Sequence, residues 1–299
     1  MSKKYSVKPR KVDLQKTRQD LLNALVEGNQ LISIRLLDNA IALRWEPSIV
    51  YVNVIAHCLA EIGSRWHSGE LTIATEHRAT QLALRLLARA QDTYATSRRV
   101  GRRAVITSVE GDNHIIGGLT FADLLRFEGW HVDFLGADSP VDSVVDIVER
   151  EAPDLVGLSV TIEEYLPNAA KTVSDLNRLD PNPVIVVGGA AAGTPSAMKA
   201  LIKADFIGAD AVEAVNWTQQ KFNLDESSVS LEVMLSDLGS KIQALRKDRG
   251  MNQQRLATEA GLDRSYVSAI EHGKQNVSFA TLKGISDALG VEIGELISD

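Results

Sequence analysis

Apolar residues recur at three- and four-residue spacing from Asp13 to about Ser97: Leu21, Leu22, Leu25 and Val26, then Leu31, Ile32, Ile34, Leu36 and Leu37. That period predicts amphipathic helices. Glu27-Gly28-Asn29 breaks the first pair and Glu46-Pro47-Ser48 the second, a third helix runs from near Ser48 to Trp66, and a fourth starts near Leu71 and carries Leu82, Leu84, Leu86, Leu87 and Ala90. Four one-sided helices with short connections predict a four-helix bundle cap over residues 13–98. After the basic stretch Arg98 to Arg103 the period changes, and short apolar runs alternate with helical segments. Strands are expected at 104–108, 131–135, 155–159, 184–187 and 206–208, which predicts a doubly wound parallel sheet, a Rossmann-like domain over residues 99–220. A polar linker is expected at residues 221–232, around Asp225-Glu226-Ser227-Ser228, and a compact all-α domain at residues 233–299.

Length and composition agree with this multidomain reading. The chain has 299 residues, 44% hydrophobic and 24% charged, which suits a globular protein. Its only cysteine, Cys58, lies in an apolar run, so disulfides and thiolate clusters within the chain are excluded. Residues 1–12 carry Lys3, Lys4, Lys8, Arg10 and Lys11 without an apolar core, which predicts a disordered basic tail rather than a signal peptide. No run is long enough to span a membrane, and a cytoplasmic location is expected. The net charge of −7 gives no general affinity for nucleic acid, so DNA binding would need a local basic face.

The most informative loop is Val109-Glu110-Gly111-Asp112-Asn113-His114-Ile115-Ile116-Gly117-Gly118, between the first expected strand and a helix. It lies at the carboxyl end of a strand, where open α/β sheets bind ligands. Asp112 can hold the proton on one ring nitrogen of His114 and leave the other free to bind a metal. Gly117 and Gly118 let a large ligand approach the backbone. The residues alone also allow an ordinary strand-to-helix turn. Asp112-x-His114-x-x-Gly117 resembles the motif of cobalamin-binding proteins, and the resemblance implies that His114 is the lower cobalt ligand. Ser159-Val160-Thr161 and Gly188-Gly189 follow in the order that family shows. The resemblance implies that Ser159, Thr161 and the two glycines face the cofactor's nucleotide, although the usual Ser-x-Leu is Ser159-Val160-Thr161 here.

In the cap, Gly69 separates Trp66 and His67 from Glu76 and His77, so all four can meet at one mouth of the bundle. A tryptophan plugging a helical hairpin beside two surface histidines is the alternative. Trp66, the interval to Glu76 and the adjacent His77 resemble the Trp-x9-Glu-His pattern of light-sensing adenosylcobalamin proteins of the CarH type. The resemblance implies that Trp66 covers the adenosyl group. Its position beside Trp66 makes His67 a candidate upper cobalt ligand after light, with Glu76 and His77 serving the dark state; a solvated helix-end histidine is the alternative.

The segment Met251 to Lys274 reads as helix, tight turn at Gly261, helix, and resembles the helix-turn-helix of XRE/Cro-type regulators from Leu238 to Ile297. Asp263 can cap the second helix, so that Arg264, Ser265 and Tyr266 project toward base edges. Gln253 and Gln254 open the preceding helix, where phosphate is met. Lys241, Arg246, Lys247, Arg255 and Lys274 can form a positive face, although a protein-binding helical module is the alternative reading. Taken together, the resemblances imply a regulator rather than an enzyme: an adenosylcobalamin-dependent, light-responsive, oligomeric protein that binds double-stranded DNA. A light-insensitive cobalamin-sensing repressor and a corrinoid methyl carrier are the rivals. Light-sensing relatives usually carry an N-terminal DNA-binding domain of the winged MerR type, whereas the helix-turn-helix here is C-terminal.

Overall fold

The structure is a computed structural model and describes residues 13–97, 99–193, 202–224 and 231–297. The expected tail, residues 1–12, and residues 225–230 of the expected linker lie outside the described residues. The chain forms two compact units, one holding the first helices and Arg102–Thr218, the other beginning at Gln219.

The first unit opens with α1 (Leu14–Glu27), whose free N–H groups are met by the Asp13 carboxylate, and it ends at Gly28 with φ 75°. Helix α2 (Gln30–Ala42) is capped by the Asn29 side chain. A π-helical stretch, Ile49–Ala56, runs without a break into α3 (His57–His67). Of its eight residues IVYVNVIA only Asn53 is polar, so no period in the sequence distinguishes its winding. Helix α4 (Ile73–Thr93) starts at the Thr72 cap. Leu25, Tyr51, Ile55, Ile62, Leu86 and Leu87 are fully buried, and each contributes about 1.5–3 kcal/mol by leaving water. Cys58 belongs to this core, and burial pushes its thiol up to about 12, which makes it a packing residue.

The sheet contains β1 (Arg103–Val109), β2 (His131–Ser139), β3 (Leu155–Ser159), β4 (Val184–Gly188) and β5 (Phe206–Ile207). All are parallel in the order β2-β1-β3-β4-β5. Helices α5 (Ile116–Phe127), α6 (Val141–Glu151), α7 (Leu166–Leu176) and α8 (Ala211–Lys221) complete the doubly wound arrangement. Every residue of β3 is buried, as expected where helices cover both faces. Strand order reverses between β1 and β3, so the loops leaving them diverge and open a crevice at the carboxyl edge. β2 runs past the expected Leu135 to Ser139, because Gly136 at φ 96° and Asp138 at φ 47° absorb register shifts against β1. This extension reaches the His114 loop, where Asp138 Oδ1 accepts from Gly111 N–H at 2.7 Å.

The second unit comprises α9 (Leu231–Asp248), α10 (Gln253–Ala260), α11 (Arg264–Glu271), α12 (Phe279–Leu289) and α13 (Ile293–Ile297). Ile242, Leu256, Val267, Ile270, Ile285 and Leu289 form its core. Gly261, at φ 69°, caps α10 and makes the tight turn. A Cβ on Gly239 would stand 2.2 Å from the Ile270 carbonyl oxygen, so this glycine is what lets α9 cross α11 closely. No described helix is long and apolar enough to cross a membrane.

Candidate functional site

The loop after β1 turns at Gly111 (φ 87°), and the next side chain, Asp112, is fully buried. A buried carboxylate requires donors. Asp112 Oδ1 accepts from His114 N–H at 3.0 Å and from His114 Nδ1 at 2.8 Å, while Oδ2 accepts from Thr161 N–H at 2.5 Å. With the carboxylate as its partner, Nδ1 carries the proton. In the neutral ring Nε2 keeps its lone pair, on a side chain that is 55% exposed. Ser108 Oγ donates to the His114 carbonyl at 2.8 Å and fixes the loop from below. Thr161 is thus tied into the site through its backbone. Tyr165, which the sequence reading did not single out, lies over Gly111, where a Cβ would come within 2.6 Å of its ring.

Beside this loop is a groove of about 350 Å³ whose walls include Gly117, Gly118, Gly157, Ser159, Gly188 and Gly189. A Cβ on Gly189, at φ 108°, would lie 2.2 Å from the Val160 carbonyl oxygen, and one on Gly118 would lie 3.3 Å from Ser159 Cβ. Glycine at these positions therefore lets the chain pack tightly against Val160 and Ser159 along the wall of the slot. Ser159 is 4% exposed, and its Oγ has no hydrogen-bond partner among the described residues. An unpaired buried hydroxyl costs free energy unless a ligand completes it. A glycine-walled slot with an orphan hydroxyl, beside a histidine whose neutral ring leaves Nε2 unprotonated, would suit a corrinoid, with the imidazole able to meet a metal and the slot able to take a flat nucleotide base.

Trp66 and His67 end α3, and Glu76 and His77 lie in the first turns of α4, with the turn at Gly69 (φ 81°) between them. Trp66 is 43% exposed, Glu76 Oε1 accepts from Thr80 Oγ1 at 2.8 Å, and Glu76 Oε2 lies 3.6 Å from His77 Nε2. These four share one end of the bundle, and none of them lines the groove. The cap's contribution to the groove comes from Val52 and Ala56 of the π-helical stretch, which sequence reasoning missed. Also missed was the joint beside them. Tyr51 Oη lies 3.1 Å from both the Leu87 carbonyl and Asp123 Oδ2, and Arg126 Nη1 meets Asp123 Oδ1 at 2.5 Å. Burial raises the Asp123 pKa, with the Arg126 hydrogen bond and charge opposing it, and burial also pushes the Tyr51 hydroxyl upward.

On the helix-turn-helix, Gln254, Arg255, Arg264, Ser265 and Lys274 are exposed, while Lys241 and Tyr266 are half-buried. Tyr266 Oη donates to the Asn276 carbonyl at 3.3 Å. Arg255 pairs with Glu259 at 2.8 Å. Three expectations are corrected. Arg246 takes no part in a positive face, being 7% exposed and bound to Glu271 through two contacts of 2.5 and 3.0 Å. Gln253 turns its amide inward to the same carboxylate at 2.9 Å, which leaves its backbone rather than its side chain for phosphate. Asp263 stands at the N-cap position of α11 with extended backbone, but its side chain makes no capping hydrogen bond.

Comparison with known proteins adds independent findings. Two distinct families, each described as a B12 binding domain, match residues 17–91 and residues 102–216, and a helix-turn-helix family matches residues 242–296. The chain is 30% identical over 182 residues to the HTH-type transcriptional repressor CarH of Myxococcus xanthus, and the match spans 60% of each protein's length. It is 45% identical over 62 residues to control protein C.MunI of a Mycoplasma species, covering 20% of this chain and 84% of that one. A solved structure of the Methanosarcina barkeri monomethylamine corrinoid protein superposes on 70% of this chain and 100% of its own, at 19% identity and a TM-score of 0.59, which shows a shared fold.

Proposed function

We propose that this chain, which belongs to the CarH-type cobalamin-binding regulators and carries an XRE/Cro-type helix-turn-helix, is an adenosylcobalamin-dependent, light-responsive transcriptional repressor. It acts in the cytoplasm as a homo-oligomer on double-stranded DNA, and is a regulator rather than an enzyme. The observation that carries the reading is the fully buried Asp112 holding His114 Nδ1 at 2.8 Å and so directing a free Nε2 outward beside the glycine-walled groove.

When bound, the cofactor would supply a cobalt–carbon bond that light can break. The chain's own groups divide the remaining work. His114 would hold the cobalt through Nε2, and Asp112 would keep its imidazole in the ligating tautomer. Gly117, Gly188 and Gly189 make room for the nucleotide, and Ser159 donates to its base. Trp66 would shield the bound cofactor from the cap side, Glu76 and His77 would hold the dark arrangement of the cap, and His67 would be available to hold the metal after illumination. Tyr51 and Asp123 join cap to sheet, so displacement of the cap has a defined joint to open. On DNA, Arg264, Ser265 and Tyr266 read base edges, while Lys241, Gln254, Arg255 and Lys274, with the backbone of Gln253, meet phosphate.

The full chain loaded with adenosylcobalamin or methylcobalamin, assayed for DNA retention in the dark and in light, tests the reading. The expected result is binding that changes on illumination of the adenosyl form. His114→Ala should shift the absorption to that of a form without a histidine ligand, and an unchanged spectrum overturns the ligand assignment. Illuminated His67→Ala should lack the bis-histidine spectrum of the wild type, whereas identical spectra would remove His67 from the lit state. DNA binding that follows cobalamin but ignores light supports the light-insensitive repressor, and no DNA binding at all supports the carrier.

A further inference from the structure

The groove holds a second buried hydroxyl that the reading above does not use. Thr120 lies on α5, is 3% exposed and lines the groove with Ser159; neither Thr120 Oγ1 nor Ser159 Oγ has a hydrogen-bond partner among the described residues. A helical threonine ordinarily settles its hydroxyl on the carbonyl one turn back. Two other buried helical threonines do this: Thr172 donates to the Asn168 carbonyl and Thr218 to the Ala214 carbonyl, each at 2.8 Å. Thr120 does not take that local partner. It stands one turn before Asp123, on the helix that meets Tyr51, and shares the groove with Val52 and Ala56. Two residues that line one largely apolar slot thus carry buried hydroxyls, and neither hydroxyl has an acceptor among the described residues.

Resting on the cofactor reading above, we infer that Thr120 and Ser159 together select the lower base of the corrinoid, and that the slot is built for a base with two polar edges, as a purine has. With His114 in the lower cobalt position, dimethylbenzimidazole offers only one free ring nitrogen, and its far edge carries two methyl groups. One hydroxyl suffices for that base, and the second would remain unsatisfied against a methyl. Adenine instead presents ring nitrogens and an amino group on its six-membered ring in addition to the imidazole nitrogen, so both hydroxyls find partners. The preference arises from the unpaired group: a base that returns both hydrogen bonds is favoured over one, such as dimethylbenzimidazole, that is accepted while returning only one.

The experiment measures dissociation constants of the full chain, in the dark, by equilibrium dialysis against three corrinoids: adenosylcobalamin, its analogue with adenine as lower base, and adenosylcobinamide, which has no nucleotide. Wild type should bind the adenine corrinoid at least as tightly as cobalamin. Thr120→Val keeps the shape and removes the hydroxyl. It should weaken the adenine corrinoid by about three- to tenfold, the effect of one hydrogen bond, and leave the other two unchanged. Ser159→Ala should weaken both nucleotide-bearing forms and spare cobinamide. The melting temperature of ligand-free Thr120→Val should hold or rise, since an unpaired buried donor is gone. An unchanged ratio between the adenine and dimethylbenzimidazole forms in Thr120→Val overturns the inference while leaving the cofactor reading intact. A lowered melting temperature with equal loss of all three ligands assigns Thr120 a purely structural role and overturns it too. Failure of wild type to bind any of the three removes the cofactor reading, and this inference with it.

Discussion

Two buried carboxylates, each facing an arginine, separate the two units of this protein by the way they are completed. Glu271 receives two contacts from Arg246 and a third from Gln253, and Arg246 also donates to the Met251 carbonyl at 2.7 Å. Burial alone would raise the Glu271 pKa, but the Arg246 and Gln253 hydrogen bonds and the guanidinium charge outweigh it and hold the carboxylate below its ordinary value. Asp123 has one contact from Arg126 and half a share of the Tyr51 hydroxyl, and there burial prevails and the pKa rises. A carboxylate that is fully met ties α9, α10 and α11 together. One that is incompletely met, at the seam between cap and sheet, leaves a buried carboxyl only partly compensated.

The comparison can be broken most forcefully at Glu271. Glu271→Ala leaves Arg246 buried without its anion and should cost the helix-turn-helix about 3–5 kcal/mol. Thermal unfolding of the full chain followed by circular dichroism would show the loss, with the transition of the first unit unmoved; an unshifted second-unit transition would mean the pair does not clamp the fold. Tyr51→Phe should be milder, about 1–3 kcal/mol in the first unit, because it strips a donor from Asp123 and from the Leu87 carbonyl. Hydrogen exchange should rise first in the π-helical stretch and in α5. If protection there is unaltered, the seam is not held by Tyr51.

Acidity sharpens the contrast because the two shifts have opposite signs. The folded pKa of Asp123 is raised, so its contribution is fully present below the unfolded value, about 3.9, and is lost as pH rises through the folded value. The folded pKa of Glu271 is lowered, so its contribution is present above the unfolded value, about 4.3, and is lost as pH falls through the folded value. Acidification from neutral should therefore first relieve the Asp123 seam and only below about 4.3 weaken the helix-turn-helix. Calorimetry of wild type and Glu271→Gln from pH 7 to 3 would test this, since the variant should lose the second-unit slope below about pH 4. Parallel slopes in both proteins would refute it. The smallest effect belongs to the exposed surface. Arg255→Ala should change stability by only about 0.3–0.5 kcal/mol, because its pair with Glu259 is solvated, while lowering affinity for all DNA sequences alike. Arg264→Ala should leave melting unchanged and cost about 1–3 kcal/mol of DNA binding at one base position. A salt titration comparing the two variants would separate phosphate from base contact.

What could be read in advance follows from how local each interaction is. β1, β3 and β4 were legible because strands covered on both faces must be continuously apolar, and Asp112 with His114 was legible because acid and imidazole lie in one loop. The end of β2 was not, since it depends on left-handed backbone at Gly136 and Asp138 that no alternation of side chains announces. Arg246 reads as a surface charge until Glu271, on another helix, is brought to it. Tyr51 and Asp123 lie 72 positions apart, and only the docking of cap on sheet makes them partners. Thr120 reads as a polar residue at an unremarkable helical position until its hydroxyl is seen without its usual local acceptor.

The π-helical stretch Ile49–Ala56 bears on chain length. Its wider i→i+5 winding stores one residue more than the same length of axis needs in an α-helix. Deleting one residue there would close the wide loop while keeping the flanking turns nearly in phase, so Trp66 would still point as it does. The same deletion inside His57–His67 would swing Trp66 and His67 by about 100° around the helix axis. Proteins of this architecture can thus differ by a single position in mid-helix without re-aiming the end of the cap, and the stretch acts as slack in an otherwise taut thread.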